Sequence, residues 1–423
     1  MAAKQPETTT IKKKPLLLLI LASAGPGIIA ELAGNDAGGI STFSIAGANY
    51  GLKILWAVPV AMLFLMVVQE SAARMGSKTG KGFAALIRES FGLRLTAFAM
   101  LALAIANSGT TLSEFAGIAA GMELFGVSKF IAVPVAGLAV WALLMGGSYR
   151  RTERIFLVIS LVFLVYVVAA FVSKPPWGAV ALHTVMPSLE PNAGFISLII
   201  AIIGTTVAPW MIFFGQSNVV EKGATIKDLF FLRADVFLGA VIACFVVWFI
   251  MITTGTVLHE QGIVVEDAAA AAQALAPTVG QAAEHLFGVG LVGASFLAAC
   301  VLPLTTSYAL CEAFGWERGT DRSWNEAPVF KGIITAIIVI SCIAVLVPSA
   351  NLMSIMLTAQ IVNGVLLPVL LIFLVLIANN RIVMGSHRNG KLANTLSVVT
   401  IIAIIGFTVA LFVFLGLGFD VSL

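Results

Sequence analysis

The chain is poor in charge. Asp, Glu, Lys and Arg make up only 11% of its 423 residues, while 60% are hydrophobic. A water-soluble domain cannot hide that much apolar surface, whereas a bundle of membrane helices need not hide it at all. Cysteine is scarce: Cys244, Cys300, Cys311 and Cys342 lie inside or at the ends of apolar stretches, with no CxxC pair. They read as small packing residues rather than disulfides or metal ligands. Histidine is as rare, and His183, His259, His285 and His387 all fall in segments read as loops. The net charge is only +3 and no basic run is interleaved with aromatics, so nucleic acid is not an expected partner. No HExxH, no paired intramembrane His and no Gly-rich nucleotide loop occurs, which argues against an enzyme and gives no reason to expect a cofactor.

What the chain has is apolar length. About 20 apolar residues cross a bilayer, and eleven candidate spans meet that measure: roughly 15 to 47, 54 to 75, 95 to 121, 130 to 147, 155 to 173, 193 to 219, 229 to 256, 282 to 312, 331 to 348, 352 to 378 and 394 to 416. Lys12, Lys13 and Lys14 before the first run mimic a signal peptide. That run is about as long as a full span and no A-x-A cleavage site follows, so a retained first helix is expected. The whole of residues 1–423 then forms one all-α transmembrane domain, with no soluble domain of useful size.

Positive charge concentrates in cytoplasmic loops. With the N-terminus inside, 21 of the 24 Lys and Arg fall on the cytoplasmic side, leaving only Lys53, Lys129 and Lys174 outside. The longest outer loop, HEQGIVVEDAAAAAQALAPTVGQAAEH, carries acids but no Lys or Arg. An error of one span would scramble this alternation. The expected topology is N-terminus cytoplasmic, C-terminus outside.

Polar residues at bilayer depth are costly and mark pathways or partners. The first set is GNDAGG, residues 34 to 39, at the interruption of the first run. Gly34, Gly38 and Gly39 each weaken a helix by about 1 kcal/mol relative to Ala, and a broken helix exposes carbonyls that are tolerable only where they line a cavity or find partners. Free carbonyls beside the Asp36 carboxylate make an oxygen-rich, anionic pocket suited to a cation. The second set lies in span six, IIGTTVAPWMIFFGQSN, where Pro209 has no N–H to donate and should kink or break the helix around Thr205 to Pro209. Interrupted spans at places one and six point to an inverted-repeat transporter with its substrate between the breaks. The halves would run from about 15 to 173 and 193 to 378, with an additional helix at about 394 to 416.

The spacing from GPG (Gly25, Pro26, Gly27) to Asp36, the stretch TTVAPWMIFFGQSNVV, the segment TLSEFAGIAAGMELFG and the long stretch AQIVNGVLLPVLLIFLVLIANNRIVMGSHRNGKL resemble the Nramp family of divalent-metal transporters. The resemblance implies a LeuT-like fold, five plus five inverted helices with one additional span. It also implies a divalent metal ion as substrate, with the lipid bilayer as surroundings in a prokaryotic plasma membrane. No obligatory protein partner is evident.

The departures from the family pattern carry as much as the matches. Where the family has DPGN, this chain reads DAGG: Asp36 is kept, Pro becomes Ala37 and the metal-binding Asn becomes Gly39. The family's MPH appears as Ala208, Pro209, Trp210, without the thioether that touches the metal or the His tied to proton movement. A thioether favours transition metals and gives little to hard ions, so Ala208 removes a barrier against Mg²⁺. Mg²⁺ keeps several waters and is held through one or two carboxylates, and small residues at 39 and 208 suggest room for those waters. The pattern resembles the Nramp-related magnesium transporter branch. The expected metal-site residues are Asp36, Gly39, Thr205, Ala208 and Gln360, with Ala37, Pro209 and Trp210 shaping the cavity. Gln360 reads equally as a buried amide tying helices together.

Proton coupling is also reduced. The third span shows Ala104 and Thr111 where ordinary members have acids, and keeps only Glu114. The basic residues of their ninth span have no equivalent between Ile333 and Val347. The expectation is uncoupled Mg²⁺ flux by alternating access, with Mn²⁺ as a second substrate. Glu31 reads as a vestibule residue or a helix pairing, and Glu114 as a residual proton site or a hydrogen-bonded structural carboxyl. The alternatives are a proton-coupled Mn²⁺ or Fe²⁺ transporter, which wants the missing thioether and His, and an amino-acid transporter of the same fold, which Asp36 opposes.

Overall fold

The computed structural model describes residues 34–146 and 161–417, and no strand occurs among them. The principal helices are α1 (Ala37–Tyr50), α2 (Ala57–Thr79), α3 (Phe83–Glu123), α4 (Lys129–Met145), α5 (Val165–Val172), α6 (Trp177–Val185), α7 (Ala193–Thr206), α8 (Pro209–Glu221), α9 (Leu229–Val257), α10 (Ala283–Phe314), α11 (Pro328–Val345), α12 (Leu352–Asn379) and α13 (Lys391–Gly416). Eight spans among the described residues are long and apolar enough to cross a membrane, counting α7 and α8 as one. The 17-residue α4 is shorter, and Val162–Val172, which contains α5, forms with α6 a pair bent by 120°. With α1 as a half-span, these elements follow the order and approximate bounds expected from hydropathy. Glu31, the GPG stretch, and the first half of span one lie outside the described residues.

The helices start and stop where their ends can be satisfied. Asn192 caps α7 by accepting from the Phe195 amide at 2.7 Å, and Asn351 caps α12 from Ser354 at 2.9 Å. Pro209 and Pro328 occupy first helical positions, where a missing N–H costs nothing. Gly80 and Gly315 end α2 and α10 in the left-handed conformation. The long α3 is two pieces joined at Gly92, whose φ of 72° admits a bend that a side chain would resist. The span expected to begin near residue 95 begins just after that bend.

Burial orders the bundle. The broken span Ala193–Glu221 has 94% of its apolar window buried, and α13 has 17%. The first is therefore the most buried of the eight spans and the last a lipid-facing helix packed on α7 and α12. α3 is the platform, packed along its length on α10 and α12, and α1 lies among α9, α12, α7 and α3.

Two expectations need correction. Gly38 and Gly39 do not break the helix but sit in the first turn of α1, and residues 34 to 36 ahead of it are non-helical. His183 is in α6 and His285 in the first turn of α10, so only His259 and His387 lie outside the principal helices. The outer loop carries two short helices, Ala268–Ala272 and Ala276–Val279.

Candidate functional site at the two helix breaks

An α-helix begins with orphan backbone N–H groups. In α1 three successive ones meet carboxylates. Asp36, the N-cap, accepts from the Gly39 amide through Oδ1 at 2.7 Å. Glu114 of α3 accepts from the Ala37 amide through Oε2 at 3.2 Å, and the Gly38 amide also donates to it. The positive end of the helix dipole favours both anions. Asp36 and Glu114 lie within hydrogen-bonding reach of each other, both buried. None of the ion pairs among the described residues involves either.

The small residues of this turn serve close approach. A methyl group on Gly38 would overlap the Gln360 side-chain amide of α12 and stand 2.8 Å from Ser113 Oγ. One on Gly39 would stand 2.9 Å from Thr205 Oγ1 on α7. The volume that Gly39 leaves is thus filled by Thr205. Ala37, expected to shape the cavity, is instead committed to a helix contact. Its Cβ faces Gly117 of α3, where any side chain would collide with it.

The second break faces the first. α7 ends at Thr206, Val207 is non-helical (ψ 55°), and Ala208 is extended (ψ 140°) ahead of Pro209. Pro209 cannot supply the i−4 donor that the Thr205 carbonyl would receive in an unbroken helix. Thr205 Oγ1 is buried without a hydrogen-bond partner, as is Trp210 Nε1, whose ring packs edge-on to Phe214 at 5.7 Å. A small cavity adjoins both breaks, lined by Asn35, Thr205, Thr206, Met211 and Cys244 among others. Gln360 lies fully buried on α12, its Oε1 accepting from Asn363 Nδ2 at 2.8 Å and its Nε2 without an acceptor. Asn363 in turn donates to Thr110 Oγ1 of α3 at 2.9 Å.

The fold therefore brings Asp36, Gly39, Thr205, Gln360 and Glu114 to one locus, with Ala208, Pro209 and Trp210 buried at the second break. Among the described residues no group of three or more His, Cys, Asp or Glu gathers into a ligand set. Protein donors at the locus are one or two carboxylates with carbonyl, hydroxyl and amide oxygens, a hard set that suits cations holding some of their own water.

Residues 27–414 match the family described as natural resistance-associated macrophage protein-like, Nramp. The chain belongs to the Nramp family. It is 28% identical over 414 residues to a divalent metal cation transporter MntH of Aeromonas hydrophila, covering 96% of this chain and 98% of that one. To the MntH of Erwinia tasmaniensis it is 33% identical over 279 residues, covering 64% and 67% of the two chains. The crystal structure of the Eremococcus coleocola manganese transporter, in complex with an aromatic bis-isothiourea compound, superposes with a TM-score of 0.78 at 20% identity, covering 95% of this chain and 88% of that one. The fold is accordingly the LeuT-like fold of the Nramp proteins.

Sequence reasoning missed several features of this Nramp chain. Glu114 was singled out, but not its contact with α1, which joins residues 77 positions apart. The Gln360–Asn363–Thr110 chain was equally hidden, although Asn363 lies one helical turn from Gln360 on the same face. Lys331, just outside the window read as lacking basic residues, is a buried base on α11 that donates to the Thr320 carbonyl at 3.1 Å. Away from the breaks, Glu70 of α2 is gripped by Arg74 and Arg233, and Arg74 also reaches Asn389. Glu70 thus belongs to a clip tying α2 to α9 and to the segment before α13.

Proposed function

We propose that this protein carries divalent cations across the membrane by alternating access, with Mg²⁺ as the principal substrate and Mn²⁺ as a second. The observation that supports this most is the buried carboxyl of Asp36, which forms no ion pair among the described residues and sits where the start of α1 meets the break between α7 and α8. An uncompensated anion at such depth is costly. A transported cation offsets that cost each time the site fills. Asp36 is assigned as the central ligand. Thr205 Oγ1, the free carbonyls of the second break and Gln360 supply oxygens directly or through water. Gly39, Pro209 and Trp210 shape the surroundings.

Ala208 supports Mg²⁺ over softer ions. It caps α8 with a methyl group and offers no sulfur to a metal that would prefer one. A Mg²⁺ ion gives up its water reluctantly and is best served by a carboxylate and a shell of oxygens. The His-poor bundle leaves few titratable steps for a proton, and the reading is uncoupled flux. The inside-negative potential then drives a divalent ion inward with roughly 4.6 kcal/mol per 100 mV, from about 2.3 per unit charge. The Lys and Arg distribution supports a cytoplasmic N-terminus and an outer C-terminus, and the bacterial relatives support a prokaryotic plasma membrane.

One observation favours a second reading. Met211, one turn along α8 from Ala208, lines the cavity at the breaks together with Cys244. If the Met211 sulfur reached the ion, the site would favour Mn²⁺ or Fe²⁺ as substrate. Uptake of Mg²⁺ and Mn²⁺ into proteoliposomes by wild type and by Met211→Leu separates the two. The magnesium reading expects Mg²⁺ flux in both proteins. Loss of Mn²⁺ flux in Met211→Leu, with no Mg²⁺ flux in either, would establish the manganese reading.

A further inference from the structure

We propose that Glu114 is a positioning residue, whose carboxylate reaches across from α3 to fix the start of α1 and thereby aims Asp36 at the cation. The inference rests on the assignment of Asp36 as the central ligand. It gives Glu114 a role that requires neither ion coordination nor proton transfer.

The reasoning begins with unsatisfied donors. A half-helix that starts at bilayer depth has no water-filled surface against which to leave its first amides. Asp36, as N-cap, satisfies only the Gly39 amide. The Ala37 and Gly38 amides would remain orphaned, each at about 1–3 kcal/mol, but both donate to Glu114. Glu114 is fully buried, and one of its oxygens, Oε1, meets no protein donor. It stands on α3, the most extensively packed helix of the bundle and therefore a firm reference for a helix end that must not drift. Gly117, nearly one turn further along α3, has no side chain, and that absence lets Ala37 settle against α3. Backbone hydrogen bonds and close packing thus fix the same two residues of α1 from the same helix. Asp36 is the residue immediately before them, and its side-chain direction follows from theirs.

This role needs a hydrogen-bond acceptor of the right length and not a charge. Gln keeps a carbonyl oxygen at that position and loses the charge, while Ala loses both. Uptake of Mn²⁺ and Mg²⁺ in proteoliposomes should give Glu114→Gln a KM within about threefold of wild type. Glu114→Ala should raise KM about tenfold or more with little change in maximal rate, tenfold corresponding to roughly 1.4 kcal/mol. Should Glu114→Ala not survive purification, Glu114→Met keeps the length without a comparable acceptor and carries the same expectation. A Gln variant as impaired as Ala or Met would overturn the inference, because charge would then be what matters. So would an Ala or Met variant indistinguishable from wild type. Asp36→Ala run alongside keeps two failures apart. Transport by that variant sinks the assignment of Asp36, whereas an inactive Asp36→Ala beside an impaired Glu114→Gln sinks only the positioning role.

Discussion

Gly38 gives the sharpest quantitative test of the site geometry. A methyl group added there would overlap the Gln360 amide and stand 2.8 Å from Ser113 Oγ, so α1 or Gln360 has to move. Overpacking a tight contact costs typically about 1–3 kcal/mol, against a gain of about 1 kcal/mol from the better helix propensity of Ala. In Gly38→Ala the displaced groups are proposed ligands, so the loss should appear in ion affinity, as a rise in KM of roughly 5- to 150-fold for about 1–3 kcal/mol. Gln360→Ala alone removes one oxygen and its bond to Asn363, worth about 1 kcal/mol or roughly fivefold in KM. The double variant is decisive because truncation of Gln360 vacates the space that the new methyl needs. Its KM should be no worse than that of Gln360→Ala, a coupling energy of about 1–3 kcal/mol for residues in direct contact. The assay is uptake in proteoliposomes, with size-exclusion profiles confirming that all four proteins are folded. Independent, multiplicative effects on KM would refute the contact and with it the placement of α12 against the first break.

Asp36→Ala should leave a folded protein that shows no measurable uptake at ion concentrations near the wild-type KM, since losing a charge-assisted contact of about 2–3 kcal/mol lowers affinity roughly 30- to 150-fold; isothermal titration with Mg²⁺ and Mn²⁺ checks it. Ala208→Met restores a soft donor at the second break and should raise the ratio of Mn²⁺ to Mg²⁺ uptake about tenfold, equivalent to roughly 1.4 kcal/mol. An unchanged ratio would mean that residue 208 does not face the ion. At the clip beyond the site, Arg74→Ala leaves Glu70 with only Arg233 and should destabilise by about 3–5 kcal/mol, because the Arg74 and Glu70 side chains are 5% and 12% exposed. Arg233→Ala removes a 47% exposed partner and should cost no more than about 1 kcal/mol. Thermal unfolding in detergent reads that difference.

Much of this architecture was legible from hydropathy because lipid imposes a simple rule on length. The break of α7 was equally plain, since Pro209 removes a donor wherever it stands in a helix. The start of α3 was obscured because Arg88, Glu89 and Arg94 interrupt the apolar run, although the backbone stays helical from Phe83 and bends only at Gly92. Gly38 and Gly39 misled for a different reason. Their intrinsic cost in a helix is real, but close approach to Gln360 and Thr205 overrides it. Asp36 announced itself as a charge in an apolar run, whereas its surroundings did not. The contacts of Glu114 with Ala37 and of Thr110 with Asn363 span 77 and 253 positions, which no local pattern encodes.

The central claim is uncoupled divalent-cation flux through the site at Asp36. Purified protein in liposomes holding an interior Mg²⁺ dye and a pH dye, read together under an inside-negative potential, tests it directly. The account predicts Mg²⁺ influx with no accompanying acidification in wild type, and no Mg²⁺ signal in Asp36→Ala. Acidification that tracks Mg²⁺ influx would contradict the uncoupled mechanism, and robust Mn²⁺ uptake without any Mg²⁺ signal would contradict the assignment of the substrate.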